Sequence, residues 1–204
     1  LNFIKKKEFI RNDRILICLH FHSKYSYRIS SLPKTNFDRL NKLYQVKKLV
    51  ENLGKSSKIV IRYQKYLEKP FELKFNENFF PKHIEFDRSE KLIKKIISNF
   101  KIVIHDTDST TFLESMFLNI PSILLLDNKV EKFRKTANNF YKDLENNNIL
   151  FYDPDKAAKF IKKINGTVDA WWFEKNLQKV RKNFCNNFAK KNDNPIKELK
   201  KVLI

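Results

Sequence analysis

Short, unbroken apolar runs recur along the chain at 14–21 (RILICLHF), 58–63 (KIVIRY), 82–86 (KHIEF), 101–106 (KIVIHD), 122–127 (SILLLD) and 149–152 (ILFY). Between most of them the apolar positions step by three and four instead. In 37–54, Leu40, Leu43, Val46, Leu49, Val50 and Leu53 share one helical face, and Gly54 is placed to end the helix. In 89–99, Leu92, Ile93, Ile96 and Ile97 follow Ser89, which predicts an N-cap there. The stretches 130–147 and 153–164 repeat the helical pattern, the second with Asp153 as cap and Pro154 at the first helical position. A strand with one wet face alternates apolar and polar residues, and these runs do not. The pattern predicts an α/β fold: a Rossmann-like parallel sheet of about six strands with helices on both faces.

Three segments follow from the same pattern. Residues 1–13 are dominated by charge and predict a tail or linker from a preceding domain, residues 14–165 hold the strands, and residues 166–204 hold none. Two terminal helices are expected there, over 169–191 and 194–204. No run reaches the roughly 18 to 20 apolar residues needed to cross a bilayer, and the first 20 residues lack the order of a signal peptide. The two cysteines, Cys18 in a strand and Cys185 in a late helix, give neither metal-ligand spacing nor a disulfide framework. A reducing, cytoplasmic setting is expected.

The net charge of +19 raises the question of nucleic acid. The lysines are spread over nearly every helical stretch and the aromatics form no stacking platform, so nucleic acid is disfavoured as a partner. Attraction to an anionic membrane surface or to sugar phosphates fits the charge better. A basic, non-catalytic nucleotide- or nucleic-acid-binding module is the alternative reading.

One stretch breaks the apolar pattern. In HDTDSTTFLESMFLNIPSILLLD (105–127), six successive hydroxyl or acidic residues, 106–111, separate the run 101–106 from a helix predicted over 110–118. In open parallel sheets, ligands bind outside the carboxyl ends of the strands. A helix that starts there offers free N–H groups and a positive dipole end, so Ser109, Thr110 and Thr111 would add hydroxyls to an anion site. A single cap accounts for one such residue, not six. With only Gly54 and Gly166 in the chain, a dinucleotide fingerprint and a P-loop are excluded. His105 precedes the turn, where its side chain is aimed either into the crevice or under the helix. His20 and His22 close the first strand and are expected to be structural.

The order of these features resembles the nucleotide-sugar-binding half of GT-B glycosyltransferases. It is most similar to a bacterial family of transferases of surface carbohydrate biosynthesis, and more distantly to the glycerophosphotransferases of teichoic acid synthesis. The resemblance rests on TDSTTFLESMFLNIPSILLLD, on IVIRYQKY (59–66), on 132–161 and on the paired WW followed by VRKNFCNNFA. It implies an activated nucleotide-linked sugar or polyol as donor and a glycan or lipid-linked acceptor. It implies donor-binding roles for Arg62, His105, Thr107, Ser109, Thr110, Thr111 and Glu114, with Arg62 offering a planar fork to phosphate and Glu114 accepting from a ribose or sugar hydroxyl. No cofactor and no metal are expected, and Asp106 and Asp108 are expected to act as caps and acceptors. The resemblance also implies that the acceptor and the catalytic base belong to an amino-terminal domain, outside these 204 residues. No packing role is expected of Arg62.

Overall fold

A computed structural model describes residues 11–20, 36–63, 77–128 and 132–190, together with 194, 196 and 200. His22, the tail before residue 11 and nearly all of the second terminal helix lie outside the described residues.

Six strands form one sheet: β1 (Ile15–Leu19), β2 (Ile59–Tyr63), β3 (Glu85–Phe86), β4 (Ile102–His105), β5 (Ser122–Leu125) and β6 (Leu150–Phe151). Their spatial order is β3-β2-β1-β4-β5-β6, and every neighbouring pair is parallel. The chain runs outward from β1 to β3, then crosses back to β4 and runs outward the other way. The two loops that leave β1 and β4 therefore part at a switch point in the middle of the sheet. The edge strands β3 and β6 are two residues long, which leaves little unpaired edge.

Successive residues of each strand point to opposite faces, and both faces are apolar. On one face Ile15, Ile17, Ile59, Ile61, Ile102 and Ile104 pack under α1 (Asn36–Leu53) and α5 (Pro154–Lys163). On the other, Leu16, Val60 and Val103 meet Ile96, Ile97 and Phe100 of α2 (Ile93–Ile96) and the 3-10 turn that follows it. Farther along that face, Leu124 and Leu150 join Phe112 and Met116 of α3 (Thr110–Phe117), Tyr141 of α4 (Asn138–Asn146), Trp172 of α6 (Val168–Trp172) and Phe184 of α7 (Lys175–Phe188).

Local chemistry ends these elements where the pattern placed it in some cases and not in others. Gly54 takes φ +79° after α1 and its N–H bonds the Val50 carbonyl at 3.1 Å. Asp153 caps α5 by accepting from the Asp155 N–H at 2.8 Å, with Pro154 in the first turn. Ser89 caps nothing: α2 begins four residues later, and the Ser89 hydroxyl accepts instead from Arg62. The helix expected over 130–147 is confined to α4, because Phe133 lies before it and stacks on Tyr141 with ring centroids 3.5 Å apart. The first terminal helix is broken into α6 and α7 at Phe173 and Glu174, and the Glu174 carboxylate caps α7 by accepting from the Leu177 N–H at 2.9 Å.

Asn119 joins the carboxyl half to the sheet. It follows α3 at φ 58°, a left-handed conformation that asparagine tolerates better than most residues. Its Oδ1 accepts from Trp172 Nε1 at 2.9 Å and from Gln178 Nε2 at 3.0 Å, while its carbonyl also accepts from Trp172. The Trp172 indole is fully buried, so its N–H needs that partner. Asn119→Ala should lower the unfolding free energy by about 1 to 3 kcal/mol through lost bonds to buried donors. Asn119→Gly, which keeps the backbone conformation, should be milder by about 1 kcal/mol. Urea unfolding of the three proteins measures both differences.

Candidate functional site

The carboxyl ends of β1, β2 and β4 open into a cleft of about 280 Å³. Parallel register builds its floor: Cys18 of β1 is opposite Arg62 of β2 on one side and His105 of β4 on the other. Counting by twos from Val60, Leu16 and Val103, these three residues lie on the same face as the cluster under α2. The apolar face thus ends in one polar row. The walls come from Thr107, Ser109 and Thr111 at the start of α3 and from Lys91, Leu92 and Ile93 at the start of α2.

The acidic residues of the turn fix its shape. Asp106, buried, accepts from the His20 backbone N–H at 2.9 Å and so ties the end of β4 to the end of β1. Asp108 accepts from the Tyr141 hydroxyl at 2.9 Å, which ties the turn to α4. With both carboxylates occupied by the fold, the hydroxyls of Thr107, Ser109 and Thr111 remain. Ser109 stands at the N-cap of α3 with extended backbone angles, yet its hydroxyl makes no capping bond. Its carbonyl takes the Phe112 and Leu113 N–H groups, which leaves the earlier N–H groups of the helix directed outward at its positive end.

His105 is 1 % exposed and its ring meets Phe112 edge to face, centroids 5.5 Å apart. Burial pushes its pKa down to about 3, so the ring is neutral at physiological pH. Its Nε2 is buried without a hydrogen-bond partner among the described residues. Desolvation, with the Asp106 charge beside it, pushes the Cys18 thiol up and out of the thiolate range, so Cys18 is not a nucleophile here.

Arg62 differs most from expectation. It is buried, its Nη1 pairs with Asp87 at 2.5 Å and reaches the Ser89 hydroxyl at 3.2 Å, and its Nη2 holds the Lys91 carbonyl. The expectation that it has no packing role is therefore corrected: the guanidinium fork is engaged by the connection between β3 and α2. The reason is physical, since a buried cation must be paired and hydrogen-bonded.

Arg62, His105, Thr107, Ser109 and Thr111 share the cleft. Thr110 and Glu114 do not line it. Four residues apart on α3, they face a shallower groove with Leu113, Phe117 and Phe188. The strand 101–106 is central as expected, but β1 stands between it and β2, so Arg62 and Ser109 line one cleft across the end of β1. Sequence reasoning passed over Cys18 and Lys91. Cys18 was findable from its place at the end of the first strand. Lys91 carries no local signal in a chain with 42 Lys and Arg.

His105 generates a pH prediction. Its folded pKa lies below the value of about 6.5 for an unfolded chain, so its contribution to stability is complete above about pH 6.5 and is lost progressively as pH falls toward 3. His105→Phe should flatten this dependence between pH 7 and 5, measured by urea midpoints of both proteins. Equal slopes would show that His105 is protonated as easily in the fold as out of it.

A search of curated protein sequences gave no match. Among solved structures, the chain is similar to the spinosyn rhamnosyltransferase SpnG (TM-score 0.47, 15 % identity, 88 % of this chain and 42 % of that one). It is also similar to the spinosyn forosaminyltransferase SpnP (TM-score 0.45, 11 % identity, 94 % of this chain and 44 % of that one). The chain thus spans less than half the length of either structure. Residues 2–203 match the family model described as LIC12162 family transferase, and the chain belongs to that family.

Proposed function

We propose that this chain is the donor-binding part of a glycosyltransferase-type enzyme. Its donor is a nucleotide-activated sugar or polyol, and its acceptor is a glycan or a lipid-linked glycan of a surface polysaccharide. One observation carries the reading: Ser109 and Thr111, whose hydroxyls have no bond among the described residues, line a single cleft at the switch point of the sheet together with His105 and the amino end of α3.

The chemistry fits a donor's diphosphate. From a sugar donor, transfer breaks the bond between the sugar carbon and a phosphate oxygen as the acceptor oxygen bonds to that carbon, and negative charge grows on the departing diphosphate. Helix N–H groups and hydroxyls already aimed at that position stabilise the charge without reorganising. In the tautomer with its proton on Nε2, neutral His105 donates one further hydrogen bond. These donors do the work a metal would otherwise do, so none is required. The +19 charge would favour peripheral attraction to an anionic membrane surface, where lipid-linked acceptors reside.

Calorimetric titration with uridine and cytidine diphosphates, against uridine and cytidine, tests the reading. The diphosphates should bind and the nucleosides should bind far more weakly. Ser109→Ala and Thr111→Ala should each weaken diphosphate binding by about 1.5 to 3 kcal/mol, the range for a hydrogen bond to a charged group. EDTA should change nothing. Raising salt from about 50 to 200 mM should lower affinity far less than the roughly thousand-fold or greater loss of a nucleic-acid binder. Nucleosides binding as well as diphosphates, or alanine variants binding as well as the parent, would remove the basis for a donor site.

A further inference from the structure

Arg62 and Lys91 are the Arg and Lys side chains that line the cleft, and the structure treats them in opposite ways. Arg62 is buried and spoken for. Its Nη1 pairs with Asp87 at 2.5 Å and reaches the Ser89 hydroxyl at 3.2 Å, and its Nη2 holds the Lys91 carbonyl. Asp87 is locked in turn. Its other oxygen accepts from the Ser89 N–H at 2.8 Å, and its own N–H continues the ladder to the Ile61 carbonyl at 2.9 Å. Burial alone would raise the Asp87 carboxyl, but these hydrogen bonds and the guanidinium hold it below the usual carboxylate range, so it stays charged at neutral pH. A phosphate that took Arg62 would have to displace Asp87 and leave that carboxylate half-buried and unpaired.

Lys91 is exposed, and its ammonium has no ion pair or hydrogen bond among the described residues. Its backbone is the part that is fixed. The carbonyl held by Arg62 sits one residue before Leu92, which opens α2, and α2 packs against α3. Arg62 therefore sets where Lys91 starts, on the wall of the cleft that also holds the amino end of α3.

We propose that Lys91 is the cation that neutralises the ligand's phosphates in this cleft, and that Arg62, with Asp87 and Ser89, is a positioning residue that presents it. The proposal rests on the donor-binding reading above. It reverses the role that an exposed arginine fork would have had: the fork grips the protein, and the point charge of the lysine meets the anion. A flexible ammonium is suited to this, because it can follow the diphosphate as the sugar departs.

Titration of the intact chain with uridine diphosphate and with uridine, at low and raised salt, tests the proposal. Lys91→Ala should weaken uridine diphosphate by about ten- to hundred-fold, as for loss of a charge-assisted bond, and should leave uridine unchanged. The salt dependence of diphosphate binding should become shallower in this variant, and Lys91→Arg should recover most of the affinity. Arg62→Met, or Asp87→Asn should Arg62→Met not fold, should reduce diphosphate affinity, and combining either with Lys91→Ala should add little further loss. Affinity of Lys91→Ala within twofold of the parent would overturn the role of Lys91. Full additivity of the two losses would overturn the positioning role of Arg62. If the parent itself bound no nucleoside diphosphate, the donor-binding reading would fail first, and this proposal with it.

Discussion

The rest of the site depends on the register of β1 between β2 and β4. A parallel sheet covered on both faces has no tolerance for a stray polar side chain within it, and Leu16, Val60 and Val103 are accordingly buried and apolar. Two residues farther along the same face, the same three strands carry Cys18, Arg62 and His105. Because the strands are in register, their change from apolar to polar falls on one line, and that line is the floor of the cleft. A slip of one residue in β1 would send its share of the floor to the face covered by α1 and α5.

Burial then decides what each member of the row can do. Arg62 brings a cation into a buried place, so it is paired with Asp87 and bonded to the following segment. His105 and Cys18 can shed charge and do, the one neutral as imidazole and the other as thiol. The carboxylates of the turn are used to join elements, Asp106 to the end of β1 and Asp108 to α4. What remains toward the cleft is a set of neutral donors at a helix N-terminus, with positive charge at the rim. Such a set favours an anion by electrostatics arranged before the ligand arrives.

Much of this was legible from residue types. The six apolar runs became the six strands, because continuous apolarity has few other solutions in a chain with helical spacing between the runs. The hydroxyl-rich turn stood out since six polar residues in succession between two buried elements exceed what capping needs. The partners of Arg62 were not legible. Asp87 and Lys91 lie 25 and more residues away, and only the short strand β3 brings them beneath the end of β2. Nor was the split between Thr111, in the cleft, and Thr110 with Glu114, outside it, since the rotation of α3 about its axis is set by Phe112 and Met116 packing against Leu124 and Trp172. Tertiary packing fixed that angle, and local sequence carries no record of it.

The same protonation states limit the chemistry of the floor. Transfer to a hydroxyl acceptor needs a group that takes the acceptor's proton, and a base works best when its pKa lies near the working pH. His105, with a pKa of about 3, is too weak a base for that task, and Cys18, held as a thiol, is protonated already. Asp106 and Asp108 are both engaged in hydrogen bonds that hold the turn. Under the proposed reading, the row is suited to holding the donor and receiving the charge of the leaving diphosphate, while the acceptor's proton goes to a group outside the row. Binding and proton transfer are then separate tasks, and the burial that keeps His105 neutral is what disqualifies it as the base.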